Sequence, residues 1–228
     1  MTPQFLRQAP ERLVTPRLLL EKIHPAHAEQ LRASVLRSRE ELEFVQWARG
    51  PWDHSQAVYF CRHTRHAMEH DGALLTYLVF DTRGSEQVAT PTRTLRQRSR
   101  PPASYVGLLD LHSFDFSVPR CQIGYVGDSA VRGMGLMREA ALSLIAQAHR
   151  WGVQRIEAWC DARNERSIRF SESLGLRREG LLRQASRDPR GLLCDQIVLA
   201  RLAHEPIPSM DCHWWPDTVP TIPPGLSL

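Results

Sequence analysis

The chain has 228 residues, a formal net charge of +4, 42% hydrophobic residues and 24% charged residues. These values are typical of a globular domain, and no apolar run approaches the roughly 18 residues that a membrane helix needs. The first residues, MTPQFLRQAPERL, lack the apolar core of a signal peptide, so we expect a cytoplasmic protein with no membrane partner. Five cysteines without a CxxC pair indicate reduced thiols, and we expect no metal.

The first half of the chain predicts strands and helices, followed by a polar insertion. Residues 17–23 (RLLLEKI) and 73–81 (ALLTYLVFD) have the composition of strands. Residues 25–45 and 54–70, which lie between them, are predicted to be helical. Residues 82–103 are rich in Arg, Ser, Thr and Pro without an apolar period, so we expect a polar arginine-rich loop there.

The second half predicts a strand pair, a long helix and a closing group of strands. Residues 104–116 and 121–127 are predicted to be adjacent strands joined by the turn SVPR. Residues 134–151 carry an apolar stripe with a four-residue spacing, which indicates a helix. That stripe consists of Leu136, Ala140, Leu144 and Ala148. A strand, a short helix and two strands are expected over residues 153–160, 164–175, 176–184 and 192–202. The order indicates an α/β or α+β fold with buried central strands.

The turn from Arg132 to Met137 (RGMGLM) leads from a strand into the long helix. A Walker A loop is excluded because no Gly-Lys-Ser/Thr follows, and a Rossmann turn because Arg138 stands where the third glycine is needed. Two interpretations remain open. The glycines either make a tight connection only, or they expose backbone amides at a helix N-terminus that bind phosphate.

Two segments in this order resemble the hallmarks of one family. Residues 122–140 (QIGYVGDSAVRGMGLMREA) are similar to the cofactor-binding segment of the GNAT superfamily of acyl-CoA-dependent N-acetyltransferases. The segment CDARNERSIRFSESLGLRREG resembles the second hallmark, with Asn164, Ser167 and Gly175 at its fixed positions. Both are most similar to the RimJ/RimL branch. The resemblance predicts a GNAT domain over residues 12–203, with residues 1–11 as an extension and residues 204–228, rich in Pro and Trp, as a tail.

The resemblance implies a GNAT fold, with helices flanking a mixed central sheet of about six to seven strands. It implies that two parallel strands splay apart to hold acetyl-CoA, the expected co-substrate. Backbone amides of the turn would then bind its diphosphate, and an amide near Val126 would polarise the thioester carbonyl. The implied cofactor-binding residues are Tyr125, Val126, Gly127, Arg132, Gly133, Met134, Gly135, Leu136, Met137, Asn164 and Ser167.

The resemblance also implies roles in the transfer step. Ser167 is placed to donate a proton to the departing thiolate, although a serine near a helix start often only bonds the backbone. Relatives often carry Glu where this chain has Gln122, which puts the usual base in doubt. Asp110 and His112 alternate onto one face of a strand and are the candidate bases, since imidazole titrates near neutrality. A structural histidine, or an amine that arrives deprotonated, remains the alternative.

The implied reaction is acetyl transfer by direct attack of a primary amine, on a protein N-terminus or a small molecule. Trp47 and Trp52 are candidate walls of the acceptor groove, with Gln122 beside it, or plain core aromatics. One rival is a catalytically weak or silent module that binds acyl-CoA or a partner. Another is an RNA- or ribosome-associated protein that uses the arginines of residues 93–100. A homodimer is conceivable.

Overall fold

The computed structural model describes residue 6 and residues 9–83 and 104–208. Most residues of the polar loop, of the tail and of the N-terminal extension therefore lie outside the described residues. The strands are β1 (Arg12–Val14), β2 (Leu18–Lys22), β3 (Leu74–Asp81), β4 (Ser104–Asp115), β5 (Arg120–Gly127), β6 (Arg155–Asp161), β7 (Arg177–Arg187) and β8 (Leu193–Leu202). Four α-helices lie within the described ranges: α1 (Ala28–Arg37), α2 (His54–His70), α3 (Leu136–Arg150) and α4 (Glu165–Ser173).

The described strands form one sheet in the order β1-β2-β3-β4-β5-β6-β8-β7. Its eight strands correct the expected six to seven. The addition is the short β1, which pairs antiparallel with β2 and has too few residues for its pattern to be recognised. The mixed α/β class is confirmed, because β5 and β6 pair in parallel while the other neighbours are antiparallel. Helix α3 makes the crossover that a parallel pair requires.

The core lies around β3 and α3. In β3 the side chains from Leu75 to Phe80 are all buried, because the strand is covered on both faces. The predicted apolar stripe of α3 is buried, and so are residues beside it, including Leu142 and Ile145. A helix that is apolar on most sides is buried on most sides. At the far edge, β7 is exposed along almost its whole length.

Helix boundaries follow local capping. Helix α2 begins after Asp53, whose side chain accepts a hydrogen bond from the backbone N–H of Gln56, and this satisfies one free donor of the first turn. The helical region predicted over residues 25–45 is divided. Short 3-10 turns at Pro25–His27 and Arg39–Leu42 flank α1. The second of these turns brings an acidic side chain to the cavity described below.

Candidate active site

The central feature is a cleft where β5 and β6 separate. The two strands pair only from Arg120 with Arg155 to Gln122 with Glu157, and beyond that point each pairs only with its outer neighbour, β4 or β8. A cavity of about 670 Å³ occupies the gap, lined by residues 123–127 of β5 and 158–161 of β6. The separation leaves the facing backbone amides of β5 without a strand partner, so they are available to a ligand.

One end of the cavity is the turn before α3. Gly133 and Gly135 have φ values of 78° and 73°, in the left-handed region that glycine adopts most readily. Gly135 is the N-cap of α3, and no side chain from the described part of the chain caps it. The first backbone N–H groups of the helix therefore lack an intrahelical partner, and the helix dipole favours an anion at this position.

Arg132 also faces the cavity, but it is held by an acidic side chain. Both Arg132 and Arg166, at the start of α4, contact the carboxylate of Glu41, one oxygen each. Glu41 comes from the 3-10 turn Arg39–Leu42. The carboxylate thus joins three segments around the mouth of the cleft. Glu41 could not be predicted from the sequence, because no local pattern distinguishes it from the neighbouring acidic residues.

Met137, in the first turn of α3, packs against the sheet. A Cβ atom at Gly107 would lie 2.5 Å from Sδ of Met137, and one at Gly127 would lie 3.1 Å from its Cγ. The methionine side chain therefore packs against two glycines of the sheet, and it also lines the cavity. Its neighbour Met134 is 46% exposed and does not line the cavity.

A cluster of hydroxyl groups and one thiol lies on the β6 side of the cleft. The hydroxyl of Tyr125 is 2.9 Å from Oγ of Ser167 and 2.6 Å from Oγ of Ser171. Sγ of Cys160 is 3.2 Å from Oγ of Ser167. Burial raises the pKa of Tyr125 well above its ordinary range, so its hydroxyl stays protonated and can donate.

Ser167 is positioned by the cap of α4. Oδ1 of Asn164 accepts a hydrogen bond of 3.0 Å from the backbone N–H of Ser167. The cap is therefore Asn164, and the hydroxyl of Ser167 bonds side chains in the cleft instead of the backbone. Both residues line the cavity.

Asp110 and His112 lie on one face of β4, as predicted, but only Asp110 lines the cavity. Nε2 of His112 is 3.6 Å from Oδ1 of Asp110, and Nδ1 of His112 is 2.9 Å from Oγ of Ser113. Burial raises the pKa of Asp110, and the nearby His112 opposes part of that rise. Gln122 pairs with His112 across the strands and is not a lining residue.

The two candidate tryptophans have different positions. Trp47 lines the cavity together with Phe44 and Val45. Trp52 is 3% exposed and packs behind it, with ring centroids 5.5 Å apart. Phe60 stacks on Trp47 at 4.8 Å. The structure therefore places Trp47 in the wall and Trp52 in the core that supports it.

Neither a metal site nor a membrane span is found in the described part of the chain. Over residues 9–83 and 104–208, no group of three or more His, Cys, Asp or Glu side chains could hold a metal ion. Within the same ranges, no helix is long and apolar enough to cross a membrane.

Comparisons with known proteins agree with this geometry. The sequence profile of the acetyltransferase (GNAT) domain matches residues 17–177, which span both the glycine turn and the Asn164–Ser167 cap. Among curated protein sequences, none matches the chain.

Solved structures share the fold at low sequence identity. RimL, an alpha-N-protein acetyltransferase of a ribosomal protein in complex with coenzyme A, is 19% identical with a TM-score of 0.68, over 83% of this chain and 96% of that one. The microcin C7 self-immunity acetyltransferase with acetyl-CoA and AMP is 17% identical with a TM-score of 0.67, over 82% and 93%. A ribosomal-protein-alanine acetyltransferase from Vibrio fischeri is 18% identical with a TM-score of 0.66, over 85% and 97%.

Proposed function

Because the chain belongs to the acetyltransferase (GNAT) domain family, we propose that it transfers acetyl from acetyl-CoA to a primary amine, on a protein N-terminus or a small molecule. The observation that carries the proposal is the cleft itself. Strands β5 and β6 separate, and the cleft between them ends at the N-terminus of α3, whose first backbone amides have no side-chain cap from the described residues. A thioester with a long neutral arm and a diphosphate fits both parts of such a cleft.

The residues present suit that co-substrate. The amides of residues 133–137 and the guanidinium of Arg132 would hold the diphosphate, because charge-assisted bonds at a helix head favour anions. The unpaired edge of β5 from Tyr125 to Gly127 would hydrogen-bond the arm, and its amides would polarise the acetyl carbonyl. Acetyl-CoA supplies the activated acetyl group.

The hydroxyl cluster suits the departure of the thiol. Tyr125 and Ser167 are in hydrogen-bond contact, and both line the cavity. The phenol stays protonated because burial raises its pKa. The pair can therefore hold a proton ready for the thiolate, which is general acid catalysis.

An amine on a peptide is supported by two observations. The structural relatives named above include acetyltransferases of ribosomal proteins. In this chain, Phe44 and Trp47 provide an aromatic wall to the cavity, and aromatic side chains give large contact area at low entropic cost.

Calorimetry with coenzyme A and acetyl-CoA, followed by thiol release with a panel of amines and N-terminal peptides, tests the proposal. We expect binding of both coenzyme forms and turnover with at least one amine. The absence of Glu at position 122 favours a second candidate, a module that binds acyl-CoA without turnover. Binding without thiol release across the panel would favour that module, and no binding at all would reject both.

A further inference from the structure

Among the carboxylates that the structure describes in the cavity, one has no described arginine as a partner. Five acidic side chains line the cavity: Glu41, Asp110, Asp128, Asp161 and Asp188. Four are in contact with guanidinium groups, through Arg132 and Arg166, Arg37, and Arg163. Among the described residues, Asp110 interacts with His112, whose Nε2 is 3.6 Å from Oδ1, and with the backbone N–H of Gly124. Its charge is therefore the one left available to a cation in the cavity.

The backbone opposite Asp110 is shaped to receive its carboxylate. Asp110 in β4 pairs with Gly124 in β5, two residues beyond the point where β5 leaves β6. A Cβ atom at Gly124 would lie 2.6 Å from Oδ1 and 2.9 Å from Oδ2 of Asp110, closer than atoms can approach. A glycine inside a strand often marks such a close approach. The carboxylate can lie across β5 only because position 124 has no side chain.

This carboxylate is also incompletely satisfied. Oδ1 is shielded from solvent and accepts no hydrogen bond from the described residues. The side chain is 18% exposed, and burial disfavours its charged form. A buried acceptor without a donor costs free energy. Such a cost is expected where a ligand provides the missing donor.

We propose that Asp110 binds the ammonium group of the acceptor and takes its proton, a role that rests on the acetyl transfer proposed above. A carboxylate oxygen accepts one proton from the ammonium, which leaves a lone pair on nitrogen. That pair forms the C–N bond to the acetyl carbon while the C–S electrons leave with sulfur. The nitrogen then loses a second proton, and the thiolate gains one to become the thiol. The proton on Asp110 is released to solvent.

The groups around Asp110 suit a proton acceptor. His112, whose Nε2 is 3.6 Å from the carboxylate, is 37% exposed. The facing residues of the neighbouring strands, Thr76 and Gly124, carry no charge. Burial raises the pKa of Cys121, and the nearby Glu157 and Asp110 raise it further, so this thiol is neutral. Asp110 of β4 thus provides the carboxylate that Gln122 of β5 lacks.

Asp110→Asn keeps the shape and removes the proton acceptor, and Asp115→Asn is the matched control on the same strand outside the cavity. We expect the kcat/KM for the amine to fall about 100-fold or more in Asp110→Asn, with loss of the acidic limb of its pH profile. The coenzyme A affinity of Asp110→Asn by calorimetry, and both the kcat/KM and the coenzyme A affinity of Asp115→Asn, should stay within about twofold. If Asp110→Asn does not fold, Gly124→Ala displaces the carboxylate without deleting it and should also slow turnover.

A second readout does not depend on turnover. The carboxyl carbon of Asp110, followed by NMR in the wild-type protein, should titrate above the ordinary range of aspartate and shift when the accepted amine is added. Wild-type rates in both Asp110→Asn and Gly124→Ala would overturn the role of Asp110 and leave acetyl transfer standing. A wild-type protein that binds coenzyme A but acetylates no amine would overturn both.

Discussion

The turn from Arg132 to Met137 and the strand surface formed by Asp110 and Gly124 line the same cavity but are built differently. The turn offers backbone amides that two left-handed glycines and a helix head align. The strand surface offers the side chain of Asp110, which extends from β4 over Gly124 of β5. The first kind of site tolerates changes of side chain and is sensitive to backbone conformation. The second loses its function when one side-chain group is replaced. Substitutions in the two regions should therefore have different effects.

After Asp110→Asn, the largest effect is expected at Ser167, whose hydroxyl is within hydrogen-bond distance of Tyr125 and Cys160. Ser167→Ala removes the hydroxyl that we propose protonates the departing thiolate, and it should lower kcat about 100-fold, with little change in coenzyme A affinity. Ser171→Ala is the matched control, because Ser171 also bonds Tyr125 but does not line the cavity. Equal losses in both variants, in steady-state assays, would contradict the role of Ser167.

Alanine substitutions at two glycines distinguish the effect of backbone strain from the effect on ligand binding. Gly133 and Gly152 both have positive φ values, and a Cβ at either would meet nothing within 4 Å. Alanine at either position should therefore cost about 1 kcal/mol of stability. Only Gly133→Ala should also weaken coenzyme A binding, roughly tenfold. Calorimetry and thermal melts measure the two effects, and equal affinity in the two variants would count against the amide site.

A smaller effect is expected at the mouth of the cleft. Glu41→Gln removes the negative charge that contacts Arg132 and Arg166, so these arginines become freer to bind a diphosphate. Because partly exposed ion pairs contribute little, we expect coenzyme A to bind about two- to fivefold more tightly at low salt and equally at high salt. Glu40→Gln, on the same 3-10 turn, should change nothing. Weaker binding in Glu41→Gln would show that the carboxylate supports the site instead.

The smallest effect concerns stability against pH. Burial raises the pKa of Asp110 in the folded protein, so its ionisation destabilises the fold as pH rises through the ordinary aspartate range and above. Asp110→Asn should therefore raise the Tm at neutral pH and leave it unchanged below about pH 3.

Asp115→Asn should have the opposite sign at neutral pH. The hydrogen bond from Ser117 lowers the pKa of Asp115, so its ionised form stabilises the fold above the unfolded pKa, and this contribution is lost in acid. Thermal melts between pH 3 and pH 8 measure both variants. The same sign in both would show that the environment of Asp110 is not desolvated.

The parts of this site that the sequence predicted are those encoded over a few neighbouring residues. Gly133, Gly135 and the Asn164 cap each act within one turn of chain, so their spacing alone is informative. Glu41 meets Arg166 from 125 positions away, and the fit of Asp110 on Gly124 depends on strand register. No local pattern encodes such contacts. Trp47 and Trp52 were indistinguishable for the same reason, since only tertiary packing decides which one faces the cavity.

The packing of Met137 against Gly107 and Gly127 means that side-chain volume at position 137 limits the volume that the sheet can carry at these two positions. An alanine at position 127 would meet only the methionine side chain, whereas one at position 107 would also strike the backbone oxygen of Val126, at 2.4 Å. A smaller residue at position 137 should therefore permit Ala at 127 but not at 107. Homologous chains can be expected to vary positions 127 and 137 together, with bulk on one side or the other, while position 107 remains glycine.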